Sequence, residues 1–444
     1  MTTTDASPAA TRPASFIQER IANLAIDGRD ADTCVVAWSL KGTFDEARWE
    51  RAVGRLATRH ETLRSRLVAI DGAVLQHVEP RAALTAERFD LRTQAPHSRG
   101  RLLAEAAEAA AAPIALGAAP LARLAIYTLA SDERLVVWSF SHAIWDASCD
   151  RVLACEFAEL YGSDADPAPL PLPFHEVVRQ ERRPPTAAIR RRSAQLARLP
   201  APEPAGEAAS AYVATIRPAG TVTPAALRAL SELGRVAGCG AGVVLLAAYV
   251  RALGALLGRD RLTVGLLDAN REQPGRQQLL ACIVNVLLIP IETAGDGSIG
   301  DLVADVRDAV YDAYDHRAPL EHQLAAFDVV QRRGEVAVCD TLFNYQPAEV
   351  RPPRPEHRCD ERLTLRPTPL QPGRQQMAAR GPWAGARLCL CAVATADGGL
   401  AMWFVRDQLR HPDEWLDALV EALRRSIATA LGITVSGAHA LARD

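Results

Sequence analysis

At 444 residues the chain is longer than one hydrophobic core usually organises, so two domains or lobes are expected. Hydrophobic residues make up 49% and charged residues 23%, an ordinary globular balance, and 50 basic against 53 acidic side chains leave a scattered net charge of −3. That balance excludes phosphate-backbone binding as the main activity, and no apolar stretch reaches the roughly 18–20 residues that span a bilayer.

The opening MTTTDASPAATRPAS is polar and lacks an apolar h-region, so residues 1–14 read as a disordered tail and not as a signal peptide. Order is expected from SFIQERIANL (15–24). TFDEARWERAVGRLATRHETLRSRL (43–67) begins as an amphipathic helix: Thr43 and Glu46 have capping-box spacing, and Trp49, Ala52, Val53 and Leu56 recur at helical intervals. Residues 120–140 read as two apolar strands joined at Ser131-Asp132-Glu133. The next helix (148–162) turns Val152, Leu153, Phe157 and Leu160 inward and leaves Glu156 and Glu159 for water.

A stretch rich in Pro, Arg and Ala (182–209) reads as the connection between an N-terminal lobe (15–181) and a C-terminal lobe (210–444), with room for a short helix. The second lobe opens on a helix with Thr223 as cap and Pro224 at its first position. A second apolar helix (241–258) ends at a glycine. Residues 261–272 read as a strand leading into a loop and 279–292 as another strand-like run, followed by a helix (298–317), a hairpin (387–405) and a closing helix (412–431). Helices and strands are mixed in both halves, so the expected class is α/β with two sheets.

Few residues offer chemistry. The nine cysteines form no C-x-x-C pair, and Cys389 and Cys391 alternate in an apolar run as small buried thiols do, so no metal or disulfide is expected. A reducing cytoplasm is the expected location. GCGAG (238–242) joins two helices, whereas a phosphate loop needs a strand before it. Ser141, His142 and Asp146 fail as a triad, because adjacent residues on an extended chain point to opposite sides. His142 and Asp146 remain. Read alone, His142 is a structural residue or a catalytic base, and Asp146 a helix cap or its supporting partner.

SHAIWDASCDRVLACEFAELY (141–161) resembles the H-H-x-x-x-D-G core and following helix of nonribosomal peptide synthetase condensation domains, with His142 on the second histidine, Asp146 on the aspartate, and Leu153, Glu156, Leu160 and Tyr161 on the helix pattern. SFIQERIANL matches the first family motif at Ser15, Gln18, Arg20 and Leu24. RHETLRSRL matches the second at Arg59, His60, Glu61, Leu63 and Arg64. FHEVVRQE (174–181) is a weak fourth. VGLLDANRE resembles the segment that supplies an arginine to the motif aspartate, which implies Arg271. ACIVNVLLIP resembles the fifth at Asn285, HRAPLEHQL (316–324) the sixth and CDTLFNYQ (339–346) the seventh. The ordered matches run from about residue 15 to 430. Ser141 departs from the first histidine, Ala147 from the glycine, Ser148 from a common tryptophan and LIP from the usual LPL. Related plant-type acyltransferases carry only H-x-x-x-D, so the first histidine is dispensable to the superfamily.

The resemblance implies two lobes like those of chloramphenicol acetyltransferase, arranged as a V-shaped pseudo-dimer with a tunnel between them. His142 would act on the incoming amine or hydroxyl as base or positioning group, with Asp146 and Arg271 supporting the motif. Ser141, Ala147 and Asn285 would lie along the tunnel, or Asn285 would satisfy backbone groups. Arg59, His60 and Arg64 would hold the packing, and GPWAGA (381–386) would be a crossover or a surface loop. It implies no cofactor bound by the chain itself, only the phosphopantetheine arm of an acyl or peptidyl carrier protein acting in trans. The acceptor would be a small-molecule amine or alcohol, with no nucleic acid or membrane partner and a monomeric state. No adenylation or carrier signature follows the closing helix, so a free-standing enzyme is expected. A coenzyme A-dependent acyltransferase and a non-catalytic recruitment protein are the alternatives.

Overall fold

The computed structural model describes residues 10–26, 33–81, 84–183, 186–196, 214–293, 298–324, 339–348, 356–368 and 386–432. Its described parts fall into two compact units. The first comprises 1–183, 269–284 and 354–380; the second comprises 184–268, 285–353 and 381–444. This corrects the expected contiguous lobes. Two excursions of the second half of the chain pack with the first unit.

In the first unit a six-stranded sheet runs in the order His357–Arg358, Leu363–Thr368, Thr33–Gly42, Glu133–Ser141, Ala122–Ala130, Ala86–Asp90. Only the last neighbour pair is parallel. The expected hairpin is present: Ala122–Ala130 and Glu133–Ser141 pair antiparallel with Ala122 opposite Phe140. Strand Glu133–Ser141 is buried along most of its length because it sits in mid-sheet, which is why it reads as an unbroken apolar run. Helices Glu46–Arg59 and Cys149–Gly162 pack on each other through Trp49 and Phe157, whose ring centroids lie 4.7 Å apart. The inward stripe of the second helix is buried as its spacing requires, each of these side chains contributing about 1.5–3 kcal/mol of transfer free energy.

Three local expectations are corrected. The cap of helix Glu46–Arg59 is Asp45, whose side chain accepts from the Arg48 N–H; Thr43 instead donates its backbone N–H to Arg362 O. Ala10–Pro13 is not loose tail: it pairs with Ala73–Val78 in a three-stranded sheet completed by Ser65–Ile70. Glu156 does not face water: its side chain is 14% exposed and lies 2.7 Å from His60 Nε2.

The added strand Leu363–Thr368 pairs with Thr33–Gly42 and brings Cys359 against Gly162 so closely that a Cβ there would lie 2.2 Å from the Cys359 carbonyl oxygen. Only glycine permits that approach.

The second unit holds the other six-stranded sheet, ordered Asn285–Glu292, Arg261–Asp268, Thr341–Gln346, Leu388–Ala394, Leu400–Asp407, Ala214–Val222. Thr223 caps helix Pro224–Val236 by accepting from Ala226 N, and helix Ala241–Leu257 ends at Gly258 in the left-handed region (φ +61°), as the sequence predicts. Helix Ile299–Asp315 starts with a capping box between Ser298 and Asp301. The run 279–292 is strand only from Asn285 onward. The inter-lobe stretch contains helix Thr186–Leu196, and the rest of it from 197 to 209 lies outside the described residues, as does 381–385 of the expected crossover. No single helix among the described residues is long and apolar enough to cross a membrane.

Candidate active site

Strand Glu133–Ser141 ends in a tight turn: Ile144 N–H donates to Ser141 O at 3.0 Å and Trp145 N–H to His142 O at 3.4 Å. The turn is stiff because its apolar members are fully buried, with the Trp145 ring stacked on Phe140 at a centroid distance of 3.6 Å and its Nε1 donating to Asp150. Ser141 and residues 143–146 are buried, whereas His142 is half-buried. One imidazole is therefore presented at the surface of a fixed turn.

Asp146 follows, two residues before Ser148, the cap position of the next helix. Its Oδ1 accepts from Ser148 N at 2.9 Å and its backbone carbonyl from Cys149 N, so it organises the start of helix Cys149–Gly162. The same carboxylate receives Arg271: one terminal nitrogen lies 2.9 Å from each oxygen, with side chains 3% and 10% exposed. Arg271 is thus no surface arginine. It also donates to Leu279 O and Ala281 O at 2.9 Å each and to Arg276 O at 3.0 Å. Burial opposes its charge, but the adjacent carboxylate outweighs this and raises its pKa above the ordinary arginine value.

These bonds explain an otherwise costly piece of backbone. Residues 279–283 are buried and belong to no strand, so their polar groups need other partners. His60 Nδ1 accepts from Leu280 N at 3.4 Å, and the Thr62 hydroxyl donates to Leu280 O. Asp146 Oδ2 accepts from Ile283 N at 3.2 Å, and Asn270 Nδ2 donates to Ile283 O at 3.1 Å. The His60 and Thr62 side chains of the second motif, the Asp146 carboxylate of the central motif and the Arg271 guanidinium meet on this one segment. Since His60 accepts through Nδ1, Nε2 carries its proton toward Glu156.

The segment places Cys282 Sγ 3.6 Å from His142 Nδ1. Cys149 lies beneath, its thiol within 3.4 Å of Ala281 O. Burial, then the Asp146 charge, pushes both thiols well above the ordinary cysteine pKa, so both are neutral.

The remaining predicted residues are Ser141, Ala147 and Asn285. Ser141 is 1% exposed and its Oγ accepts from Ala143 N at 3.3 Å, a contact within the turn. Ala147 is exposed. Asn285 opens a strand of the second unit, where its amide donates to Ala318 O and accepts from Leu320 N, satisfying backbone. A cavity of about 680 Å³ in the first unit is lined by His60, Thr62, Arg64, Leu170, Phe174 and Leu280 among others, and by none of the predicted catalytic or tunnel residues. Thr62, Asn270, Cys149 and Cys282 escape sequence reasoning. Their only signal is proximity to motif positions.

Comparison with known proteins identifies the family. A family model described as Condensation domain matches residues 9–364. A linear gramicidin synthase polypeptide of Brevibacillus parabrevis is 28% identical over 327 residues, covering 69% of this chain and 4% of that protein, so this chain spans a small part of its relative. Among solved structures, SgcC5 of Streptomyces globisporus shares 19% identity with a TM-score of 0.72, over 94% of this chain and 98% of that one. The first condensation domain of the calcium-dependent antibiotic synthetase shares 18% identity with a TM-score of 0.71, over 95% and 97%. These likenesses show the two-unit α/β fold, and the match over most of the chain establishes that this protein belongs to the condensation domain family.

Proposed function

We propose that the chain is an acyltransferase that moves an acyl group from a carrier-protein phosphopantetheine thioester to an amine or alcohol, in nonribosomal peptide or polyketide-type biosynthesis. The observation that carries this reading is the half-buried His142 on a turn locked by the Asp146–Arg271 pair. In the reaction the acceptor heteroatom attacks the thioester carbonyl carbon. The tetrahedral intermediate collapses with loss of the C–S bond, and the departing thiolate of the arm takes a proton. His142 positions the acceptor and relays the proton it loses, a task suited to an imidazole near neutral pH. Holding both reactants in line supplies much of the rate. Asp146 and Arg271 do not exchange protons; they keep the turn in place.

Family membership supports the carrier-bound donor. The SgcC5 structure was obtained in complex with a naphthyl-ethanediol and sucrose, which favours including an alcohol among the acceptors. The test is to incubate an aminoacyl-loaded carrier protein with a panel of soluble amines and alcohols and follow acyl loss by intact mass. Release that His142→Ala abolishes is expected; unchanged release in that variant overturns the role of His142. Turnover of the same acyl group only on coenzyme A would make the donor a free thioester. Tight carrier binding with no product under any condition would make this a recruitment protein.

A further inference from the structure

Cys282 receives no role from the motif matches, yet it sits at Nδ1 of the proposed reacting imidazole. It is fully buried, and the backbone on either side is clamped by His60, Thr62, Arg271, Asp146 and Asn270, so Sγ occupies a fixed point 3.6 Å from the ring. That is an ordinary separation for a sulfur–nitrogen hydrogen bond. We propose that Cys282 is a positioning residue for His142, a neutral thiol that holds the Nδ1 edge of the ring and turns Nε2 toward the substrates. The proposal rests on the reading of His142 as the reacting imidazole.

A thiol at this point does what a carboxylate would not. A carboxylate would hold Nδ1–H and favour the imidazolium, raising the basicity of the ring by about 1–3 pH units. The Cys282 thiol is kept protonated by its burial. It also accepts a hydrogen bond from Val284 N–H. A further sulfur lone pair accepts from Nδ1–H of His142, which leaves the Nε2 lone pair facing the substrates. The ring is oriented without added charge. Nε2 is then the atom that takes the proton the acceptor loses, while the sulfur lone pair holds Nδ1–H before and after that transfer.

The variants Cys282→Ala and Cys282→Val remove the partner; Cys282→Ser restores a donor and a lone pair in nearly the same place. A fall in kcat of roughly tenfold is expected in Cys282→Ala and Cys282→Val with the acceptor KM unchanged, and recovery to near the natural rate in Cys282→Ser. Activity of Ala and Val equal to the natural protein, while His142→Ala is dead, overturns it and leaves the proposed function intact. Undiminished release by His142→Ala defeats the proposed function instead. A measurement free of substrate uses ¹⁵N-histidine NMR on the whole chain. One neutral tautomer for His142 in the natural protein, replaced by a mixture in Cys282→Ala, supports the inference. The same tautomer ratio in both overturns it.

Discussion

His60 grips one peptide of the segment beside His142: its Nδ1 accepts from Leu280 N–H while its other nitrogen faces Glu156 Oε2 at 2.7 Å, and the imidazole is 1% exposed. The neighbouring Thr62 hydroxyl takes the carbonyl of the same residue. A buried peptide outside any strand loses both partners if these side chains go. The expected cost is about 1–3 kcal/mol for each group left unsatisfied. His60→Ala and Thr62→Val should therefore each lower the urea midpoint. Both should also reduce turnover more than their stability loss explains, because the segment carries Cys282. Turnover that is normal at temperatures well below unfolding would detach this clamp from the chemistry.

The Asp146–Arg271 pair is a different kind of support. Both groups are buried, so removing one strands the other as an uncompensated charge. Asp146→Ala should cost about 3–5 kcal/mol, seen first as a loss of soluble folded protein. Arg271→Lys should also be strongly destabilising, since an ammonium cannot reach the Asp146 oxygens together with three backbone carbonyls. An Asp146→Ala protein with unchanged thermal stability and no activity would give the carboxylate a direct chemical role.

The sequence carries more of the local structure than of the tertiary partnership. Thr223–Pro224, Ser298 and Gly258 act through neighbours one to four residues away, so their caps are legible. Asp45 and Thr43 both have capping side chains, and only the path of the chain, with Thr43 N–H bound to Arg362 O, decides between them. The run 279–284 is apolar and reads as strand, yet its backbone is satisfied by side chains from residues 60, 62, 146, 270 and 271. Local periodicity contains no trace of such partners. The same holds for Glu156, whose helical position faces outward until His60 is placed beside it. The Asp146–Arg271 pairing is legible only through family likeness, because a separation of 125 residues has no local signature.

The return of 356–368 to the first unit gives a steric prediction. Gly162 leaves no space for a methyl group against the Cys359 carbonyl, and Cys359 N–H is tied to Leu363 O at 3.0 Å. Gly162→Ala should push this strand off the edge of Thr33–Gly42 and cost about 1–3 kcal/mol. Hydrogen exchange should rise at Leu363–Thr368 more than at Glu133–Ser141. Exchange unaltered at Leu363–Thr368 would mean that 356–368 packs elsewhere.

Acid sensitivity should trace in part to the second unit. Burial holds the His411 imidazole down to about 4, with the nearby Arg406 and Arg410 adding to the effect against the pull of Asp407. An unfolded histidine titrates near 6.5, so between these values the unfolded chain binds the extra proton and the folded one does not. The contribution is fully present above about pH 6.5 and is lost as the pH falls toward 4, amounting to about 1–3 kcal/mol after allowing for partial solvation. His411→Phe keeps an aromatic ring against Trp415, now 4.6 Å from the imidazole centroid, and removes the titration. Urea unfolding at pH 7 and pH 5 should show the natural protein losing more stability than the variant between the two. Equal losses would place the acid-sensitive group elsewhere, because the ring contact and the residue 411 backbone bond to Asp407 survive the substitution.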